Sequence, residues 1–495
     1  MSRGARWGGI WLGLVLVLAP VAAAAAGPAA AGGPAAGAGP PAAAGPVLNL
    51  EQLTVMALKF SPDIEASRSE VKLAQEQKNE AHGYRFPQFD TQAVGGVVPD
   101  ARLPIIPPGN QPRELFYETP KDKIRGINVF GHMDFSVIQP LYTFGKIAYR
   151  EEAAARNVKV KEEAVVAKQG EVMVLVAQAY YGLILANQGK EAVKEARSYL
   201  SDTQERIDRL TAVSSPNVKE SDKYRLAAYE GAVDKAGAES EEGAKTAYRA
   251  LKALSGYPEN QDFQVPTDLP NPTGPPATLD TYIQTSLELR PEFRQLKEGL
   301  VARQLLVDAA KADRLPTLFF AVVGQLAGAP GRKYNPDPYI YDYFNDYGAL
   351  PMVGVKWHFD FGILNAKVRQ ARAELEQLQN QQKQALLGIP VEVAKNYGEV
   401  QTHFRGSAGL EKAYVNARRW LITSFSNFDM GLGKLDDIFQ AFERYGAFRG
   451  DYLMELYNYN LSVAQLDKST GAFRRKLPTE TPEKKVEFKP VSQTK

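Results

Sequence analysis

The segment LKFSPDI at residues 58–64 decides the fold, because it recurs as LELRPEF at 287–293, a spacing of 229 residues. At the same spacing, RFP at 85–87 recurs as RLP at 314–316. Later matches have spacings of 217 and 215, namely YTFG (142–145) with FDFG (359–362) and SG (255–256) with TG (470–471). The changes in spacing fall where loops are expected. The sequence therefore predicts a tandem duplication with a unit of about 220 residues.

Each unit predicts the same order of elements: one helix, two strands and two longer helices. In the first unit the predicted elements are helix 48–84, strands 88–98 and 127–139, and helices 145–210 and 219–255. In the second unit they are helix 279–313, strands 317–327 and 351–361, and helices 363–426 and 433–470.

The chain divides into six predicted segments. Residues 1–26 are expected to be a secretory signal peptide, since Arg3 and Arg6 precede an apolar run and then small residues suited to cleavage. An uncleaved membrane anchor is the alternative interpretation. Residues 27–46 form a linker of almost only Ala, Gly and Pro. The remaining segments are the first repeat at 47–256, an inter-repeat linker at 257–278, the second repeat at 279–471 and a C-terminal tail at 472–495.

The predicted helix 145–210 carries an apolar residue at every seventh position. These positions are Val158, Val165, Val172, Ala179, Ala186, Val193, Leu200 and Ile207. Such a line is typical of a helix packed lengthwise against other helices. The line three or four residues further on is mixed, which favours an array of helices over a two-stranded coiled coil. At 1.5 Å per residue, about 66 residues form a rod of roughly 100 Å.

The predicted strands alternate between apolar and polar residues. In the last strand the apolar set is Val353, Val355, Trp357, Phe359 and Phe361, and strand 127–139 alternates likewise. One apolar and one polar face is what a transmembrane strand needs, but a soluble sheet packed on a helix shows the same pattern. The signal peptide, the helix length and the tyrosines of 331–347 favour the membrane. Four strands cannot close a barrel, so a dimer of eight strands or a trimer of twelve is required.

Composition excludes several classes of function. The chain has no cysteine, which excludes a lipoprotein anchor, disulfides and thiolate chemistry. Lys and Arg total 59 against 57 Asp and Glu, so no basic surface for nucleic acid is indicated. The most apolar stretch after the N-terminus, Val172–Ala186, is expected to be too short for a transmembrane helix.

Catalytic chemistry is not indicated either. The four histidines, His82, His132, His358 and His403, lack metal-ligand spacing, and His132 and His358 are expected to be solvated on the polar strand faces. The pair Gly433–Lys434 lacks the upstream glycine and the following Ser or Thr of a phosphate-binding loop. Without a nucleophile–base constellation, an enzyme and a bound cofactor are not expected.

The signal peptide, the duplicated order of elements and the Phe-Gly step from strand into long helix together resemble the TolC-like family of outer-membrane efflux proteins, the outer-membrane factors. The resemblance covers about residues 48–471. It implies an α+β membrane protein in which three chains complete a twelve-stranded β-barrel in the outer membrane. The barrel continues into a long helical coiled-coil tunnel in the periplasm. The tunnel tip meets a periplasmic adaptor protein and an inner-membrane transporter.

The resemblance also implies roles for residues in the two helix-to-helix turns. Asp437 matches the family's constriction aspartate, and Asp222 falls at the corresponding place in the first repeat. Phe428 matches an aromatic residue that helps to hold the tip closed, whereas Gln440 stands where the family has a second aspartate. The adaptor-docking tips are expected at Asn217, Val218, Met430, Gly431, Leu432 and Gly433.

Physical reasoning leaves two roles open for the aspartates. Three copies of Asp222 and Asp437 would place six carboxylates around a narrow mouth and favour cations. Alternatively, each Asp only caps its own helix, since Asp is favoured at a helix start.

The function expected from these features is an exit duct for a tripartite efflux pump or a type I secretion system. The rival hypothesis is a periplasmic coiled-coil scaffold without a pore. Extraction that requires detergent would favour the duct.

Overall fold

The computed structural model describes residues 45–101, 104–105, 116–117, 124–212, 218–274, 277–333 and 341–477. The predicted signal peptide, residues 27–44 of the predicted linker and residues 478–495 of the predicted tail lie outside these ranges. The described chain divides into two compact units. The helical unit comprises 45–68, 163–293 and 384–477, and the sheet unit comprises 69–162 and 294–383.

The first predicted helix of each repeat is in fact two helices, so the predictions of 48–84 and 279–313 as single helices were wrong. The observed helices are α1 (Leu50–Phe60), α2 (Pro62–Gly83), α5 (Leu279–Leu289) and α6 (Pro291–Ala312). A proline begins the second helix of each pair and forces the preceding residue out of helical geometry. Accordingly, Ser61 and Arg290 have ψ angles of 119° and 127°.

The long helices are confirmed, with ends within three residues of the prediction. They are α3 (Lys146–Ala212), α4 (Glu220–Ser255), α7 (Ile363–Asp429) and α8 (Leu435–Thr470). Gly256 and Gly471 follow α4 and α8 in the left-handed conformation that ends many helices. Helix α7 contains Pro390 in its interior, and a short 3-10 helix, Ala472–Lys476, follows α8.

The sheet unit contains a four-stranded antiparallel sheet with the order β1-β4-β5-β6. Its strands are β1 (Gln88–Val98), β4 (Asn128–Tyr142), β5 (Thr317–Gly328) and β6 (Tyr347–Lys356). A second, two-stranded sheet of β2 (Pro104–Ile105) and β3 (Phe116–Tyr117) was not predicted.

The predicted strand 351–361 is shifted, because β6 begins earlier and ends at Lys356. Lys356 pairs with Thr317, the first residue of β5, so residues beyond Lys356 have no β5 residue to pair with. Trp357 and Phe359 continue the apolar alternation but lie outside the strand and contact each other instead, with ring centroids 4.3 Å apart.

The expectation of a solvated His132 was wrong. Its side chain is buried, because the ring stacks on Tyr343 from the β5–β6 connection at a centroid distance of 4.1 Å. His358 is exposed, as expected.

The heptad line of α3 lies in the core. Val158, Val172, Ala186, Val193, Leu200 and Ile207 are buried, and the other two positions are half-buried. Helix α3 also contains an 18-residue window of mean hydropathy 1.2, enough by length and composition to cross a membrane, which the sequence was not expected to provide. Half of that window is buried inside the chain. The buried Val172, Val176 and Ile184 join a hydrophobic cluster, which is the behaviour of a core helix.

Candidate functional site at the helix-to-helix turns

The turn between α7 and α8 has a geometry that stops one helix and starts the next within five residues. Gly431 adopts a φ of +76°, its N–H donates to the Phe428 carbonyl (3.0 Å), and the Leu432 N–H donates to the Asn427 carbonyl (2.9 Å). These bonds form a Schellman motif, in which a left-handed residue satisfies the last free carbonyls of a helix. Glycine is favoured at this position because it has no Cβ.

The predicted docking residues differ in exposure. Met430 is 64% exposed and Leu432 is 79% exposed, so the turn presents two apolar side chains to solvent. Val218 is half-buried and packs against the nearby core, and Asn217 lies outside the described residues. A Cβ at Gly433 would lie 3.1 Å from the Phe428 backbone nitrogen, which leaves little room for a larger residue.

Asp222 and Asp437 occupy equivalent positions in the first turns of α4 and α8. The carboxylate of Asp437 accepts a hydrogen bond from the Lys434 N–H (3.0 Å), and that of Asp222 accepts one from the Lys219 N–H (2.8 Å). The two cap residues have nearly identical backbone angles, with ψ of 155° and 154°. Each aspartate therefore contributes to capping its own helix, while the Asp437 side chain remains exposed.

Gln440 donates through its amide nitrogen to Asp436 (2.6 Å). The neutral amide at this position therefore binds a neighbouring carboxylate on the same helix. Asp436 is exposed, and it supplies a negative charge close to Asp437 that the sequence analysis did not single out.

Two arginine–aspartate ion pairs connect the α3–α4 hairpin to the α7–α8 hairpin. Arg206 of α3 binds Asp429 of α7 through two hydrogen bonds of 2.8 Å each. Arg225 of α4 binds Asp436 of α8. Bidentate arginine–carboxylate pairs fix geometry as well as charge. These pairs fasten the ends of four helices to one another.

Sequence reasoning missed these four residues because ion pairing between distant segments requires knowledge of which turns lie side by side. A signal was nevertheless present. The repeat places both turns at the same end of the helical array, and charged residues of opposite sign flank the two turns.

Aromatic rings support both arginines. The Arg206 guanidinium lies 4.8 Å from the Phe425 ring centroid, and the Arg225 guanidinium lies 4.9 Å from that of Phe439. Such cation–π contacts restrict the arginine side chains in addition to their attraction. Phe428, predicted to hold the tip closed, is buried in the same core region. Other buried members of this cluster include Ile207, Leu226, Leu421, Leu435 and Ile438.

The ion pairs alter the acidity of their carboxyl groups. The hydrogen bond from Arg206 lowers the pKa of Asp429, and the hydrogen bond from Arg225 lowers the pKa of Asp436. Both aspartates are about half exposed, so solvent screens these interactions and their contribution to stability is modest.

We expect the two pairs to be insensitive to pH from 8 down to about 5, because an ordinary Asp titrates near 3.9 and these two titrate lower. Their stabilising contribution is present above the unfolded-state pKa and is lost as the pH falls through the lowered pKa values. Thermal unfolding followed by circular dichroism at a series of pH values would measure this. Substitution of Asp429 and Asp436 by Asn should flatten the acidic limb of the profile, and an unchanged limb would contradict the assignment.

No group of three or more potential metal-ligating side chains occurs among the described residues. What the turns offer instead is an exposed apolar tip, capped helix starts and two charged links between hairpins. These features suit a mechanical or docking role.

The second half of the chain matches a known family. The family described as "Outer membrane efflux protein" matches residues 282–472. These residues form an outer-membrane efflux protein domain. The domain contains β5, β6, α7 and α8, and hence Phe428, Asp437, Gln440 and the exposed turn. Among curated proteins, none matches the sequence.

Solved outer-membrane channels have the same fold as the chain that carries this efflux-protein domain. The CmeC outer-membrane channel of Campylobacter jejuni is 18% identical with a TM-score of 0.67, over 85% of each chain. The outer-membrane protein VceC of Vibrio cholerae is 17% identical with a TM-score of 0.64, over 85% of this chain and 96% of VceC. The MtrE outer-membrane channel of Neisseria gonorrhoeae is 15% identical with a TM-score of 0.64, over 85% of this chain and 88% of MtrE.

Proposed function

We propose that this protein is a subunit of a trimeric outer-membrane channel that serves as the exit duct of an efflux or secretion system. The observation that carries the proposal is the four-stranded sheet of the sheet unit. Within the described residues, β1 and β6 each have one neighbouring strand, so each leaves a row of backbone groups for another chain. Closure with further copies removes both edges, and three copies give twelve strands.

The two faces of the sheet fit this placement. Phe89, Val97, Val129 and Val353 are exposed on one face, where lipid of the outer membrane would cover them. The opposite face carries Asp90 and Gln92, paired with Ser136 and Asp134, and would line the aqueous lumen. The helical unit would then stand in the periplasm.

Equal element lengths support an origin by tandem duplication. Helices α1 and α5 have 11 residues each, α2 and α6 have 22, α3 and α7 have 67, and α4 and α8 have 36. Each chain would thereby contribute two similar hairpins to the periplasmic tunnel.

The partners follow from the exposed turn. Met430 and Leu432 present apolar surface at the tip, where a periplasmic adaptor protein would dock and bring an inner-membrane transporter into line. Whether the transporter belongs to a tripartite efflux pump or a type I secretion system is decided by that partner. The duct itself would be passive and would need neither a catalytic residue nor a cofactor.

Conductance in a planar lipid bilayer tests the proposal. The purified protein should insert and form small, cation-selective channels that a trivalent cation blocks. If no channels form and the protein is extracted without detergent, the pore-free periplasmic scaffold is the better description.

Two substitutions of Asp437 separate its two roles. Asp437→Asn keeps an oxygen that can cap the helix but removes the charge, whereas Asp437→Ala removes both. If Asp437 contributes to an acidic mouth, both variants should weaken block by a trivalent cation. Only the alanine variant should also lose stability, by about 1 kcal/mol. Block that equals the parent's in the asparagine variant would assign Asp437 to capping alone. Asp208→Asn, an exposed carboxylate inside α3, is the matched control.

A further inference from the structure

The β5–β6 connection does not extend away from the sheet but folds back over one of its faces. Its described parts are residues 329–333 and 341–346. Tyr343 stacks on His132 and also accepts or shares a hydrogen bond with its ring through the backbone carbonyl (3.2 Å). The adjacent Phe344 packs edge-on against Phe130 at a centroid distance of 4.9 Å. Two aromatic side chains thus cover two residues of β4.

The covered face is the polar one. In the sheet register, His132 pairs with Val94 and Asp134 pairs with Gln92, and alternation along β4 places Phe130 on the same side. The connection covers this face near the start of β4, which is the end of the strand remote in sequence from α3. In the proposed channel the polar face lines the lumen, so the connection lies over the pore side of the sheet.

A buried ion pair holds the connection in this position. Arg332 binds Asp342 across the connection, and each side chain is only 10% exposed. The same arginine donates to the Pro99 carbonyl at the end of β1 (3.0 Å) and lies 5.1 Å from the Phe344 ring centroid. Arg332 therefore joins both sides of the connection to the first strand. Removing one partner of a buried pair leaves an uncompensated charge, which is costly unless the segment opens to water.

Further hydrogen bonds fix where the connection leaves and rejoins the sheet. The Asn345 side chain accepts from the Ala329 N–H (2.8 Å), and Tyr341 donates to Gln325 (2.8 Å). These contacts close the base of the connection. The part that covers the sheet is then positioned mainly by the aromatic contacts and by Arg332.

We infer that the β5–β6 connection is a gate at the outer mouth of the pore, latched by the Arg332–Asp342 pair. The inference rests on the proposed function, because only a closed barrel turns the polar face into a lumen. Three connections, one from each chain, would narrow the outer mouth. Cargo arriving from the periplasmic side would have to displace the aromatic cover, and the latch would restore it.

The absence of cysteine from the native chain permits a clean accessibility test. Gln92→Cys places a thiol on the polar face, and Ala93→Cys places one on the opposite face of the same strand. Each is made alone, and each is combined with Asp342→Ala. Cells that carry the protein in the outer membrane are treated with a bulky, membrane-impermeant maleimide, and the labelling rate is measured.

We expect Gln92→Cys to react slowly in the otherwise native chain and at least about tenfold faster with Asp342→Ala, the change produced by a population shift of about 1.4 kcal/mol. A second releasing variant, Tyr343→Ala with Phe344→Ala, removes the cover and leaves the latch. Equal rates of Gln92→Cys labelling in the native, latch-deficient and cover-deficient chains would overturn the gate. Heat-resistant trimers on a gel confirm that each variant has assembled.

The neighbouring position separates failure of the gate from failure of the channel. In a barrel, Ala93→Cys faces lipid and should stay unlabelled in every background. If Ala93→Cys reacts as fast as Gln92→Cys, the sheet does not stand in a bilayer, and the proposed function is wrong. If Ala93→Cys is protected while Gln92→Cys is equally reactive with and without the latch, the channel stands and the gate does not.

Discussion

Replacing Arg206 and Arg225 together by alanine is expected to raise the single-channel conductance of the proposed channel by about tenfold, because a small widening of a narrow constriction strongly increases ion flow. The two arginines form the ion pairs that fasten the α3–α4 hairpin to the α7–α8 hairpin. Without them, the turn ends of the helices are free to separate. Each single substitution should produce a smaller increase, since one link remains.

The chain offers a matched control for this experiment. Arg209 lies on the same helix as Arg206, but its ion pair is with Glu205 of that helix and joins no hairpins. Arg209→Ala removes an equal charge and should leave the conductance near that of the parent. If the double variant also conducts like the parent, the buried cluster around Phe428 and Ile207 holds the tip, and the ion pairs do not.

Proline in place of Val172 is expected to abolish assembly. Val172 is buried in the middle of α3, and proline there removes a backbone hydrogen bond, clashes with the preceding turn and leaves the buried valine side chain unreplaced. The loss is about 3 kcal/mol for the backbone alone, with a further loss from the core. Size-exclusion chromatography with light scattering should show no trimer.

The second repeat supplies the control. At the spacing of 217 residues, Pro390 inside α7 corresponds to Met173 of α3. Met173 is only half-buried, so Met173→Pro introduces proline where the other repeat already accommodates one. We expect this variant to retain more trimer than Val172→Pro. Full assembly of both variants would show that α3 does not need to be a continuous helix.

Local patterns predicted the helical part of the fold well. The seven-residue apolar line of α3 reports burial along one helix face, and Ile207 and Val172 are buried as that pattern requires. The breaks at Ser61 and Arg290 were predictable as well, since each precedes a proline, but the apolar periodicity on both sides suggested a continuous helix. Here a local backbone constraint outweighed the pattern.

Features that depend on distant partners were not predictable in this way. The end of β6 is set by where β5 begins, and alternation alone continued through Phe361. The burial of His132 depends on Tyr343, which is 211 residues further along the chain. Among the predicted site residues, Asp437 and Asp222 were placed correctly at helix starts. Their neighbours Asp429 and Asp436 acquire partners only when the two hairpins come together.

The open edges of the sheet have a consequence for how the protein is made. The helical unit has three buried clusters of its own, so a single chain can gain much of its stability without a partner. In the proposed trimer, β1 and β6 complete their hydrogen bonding only between chains, which makes barrel formation depend on chain concentration. Until then, the apolar strand face and both edges are liable to unwanted strand pairing. Biogenesis would therefore place a premium on keeping nascent chains apart until the membrane is reached.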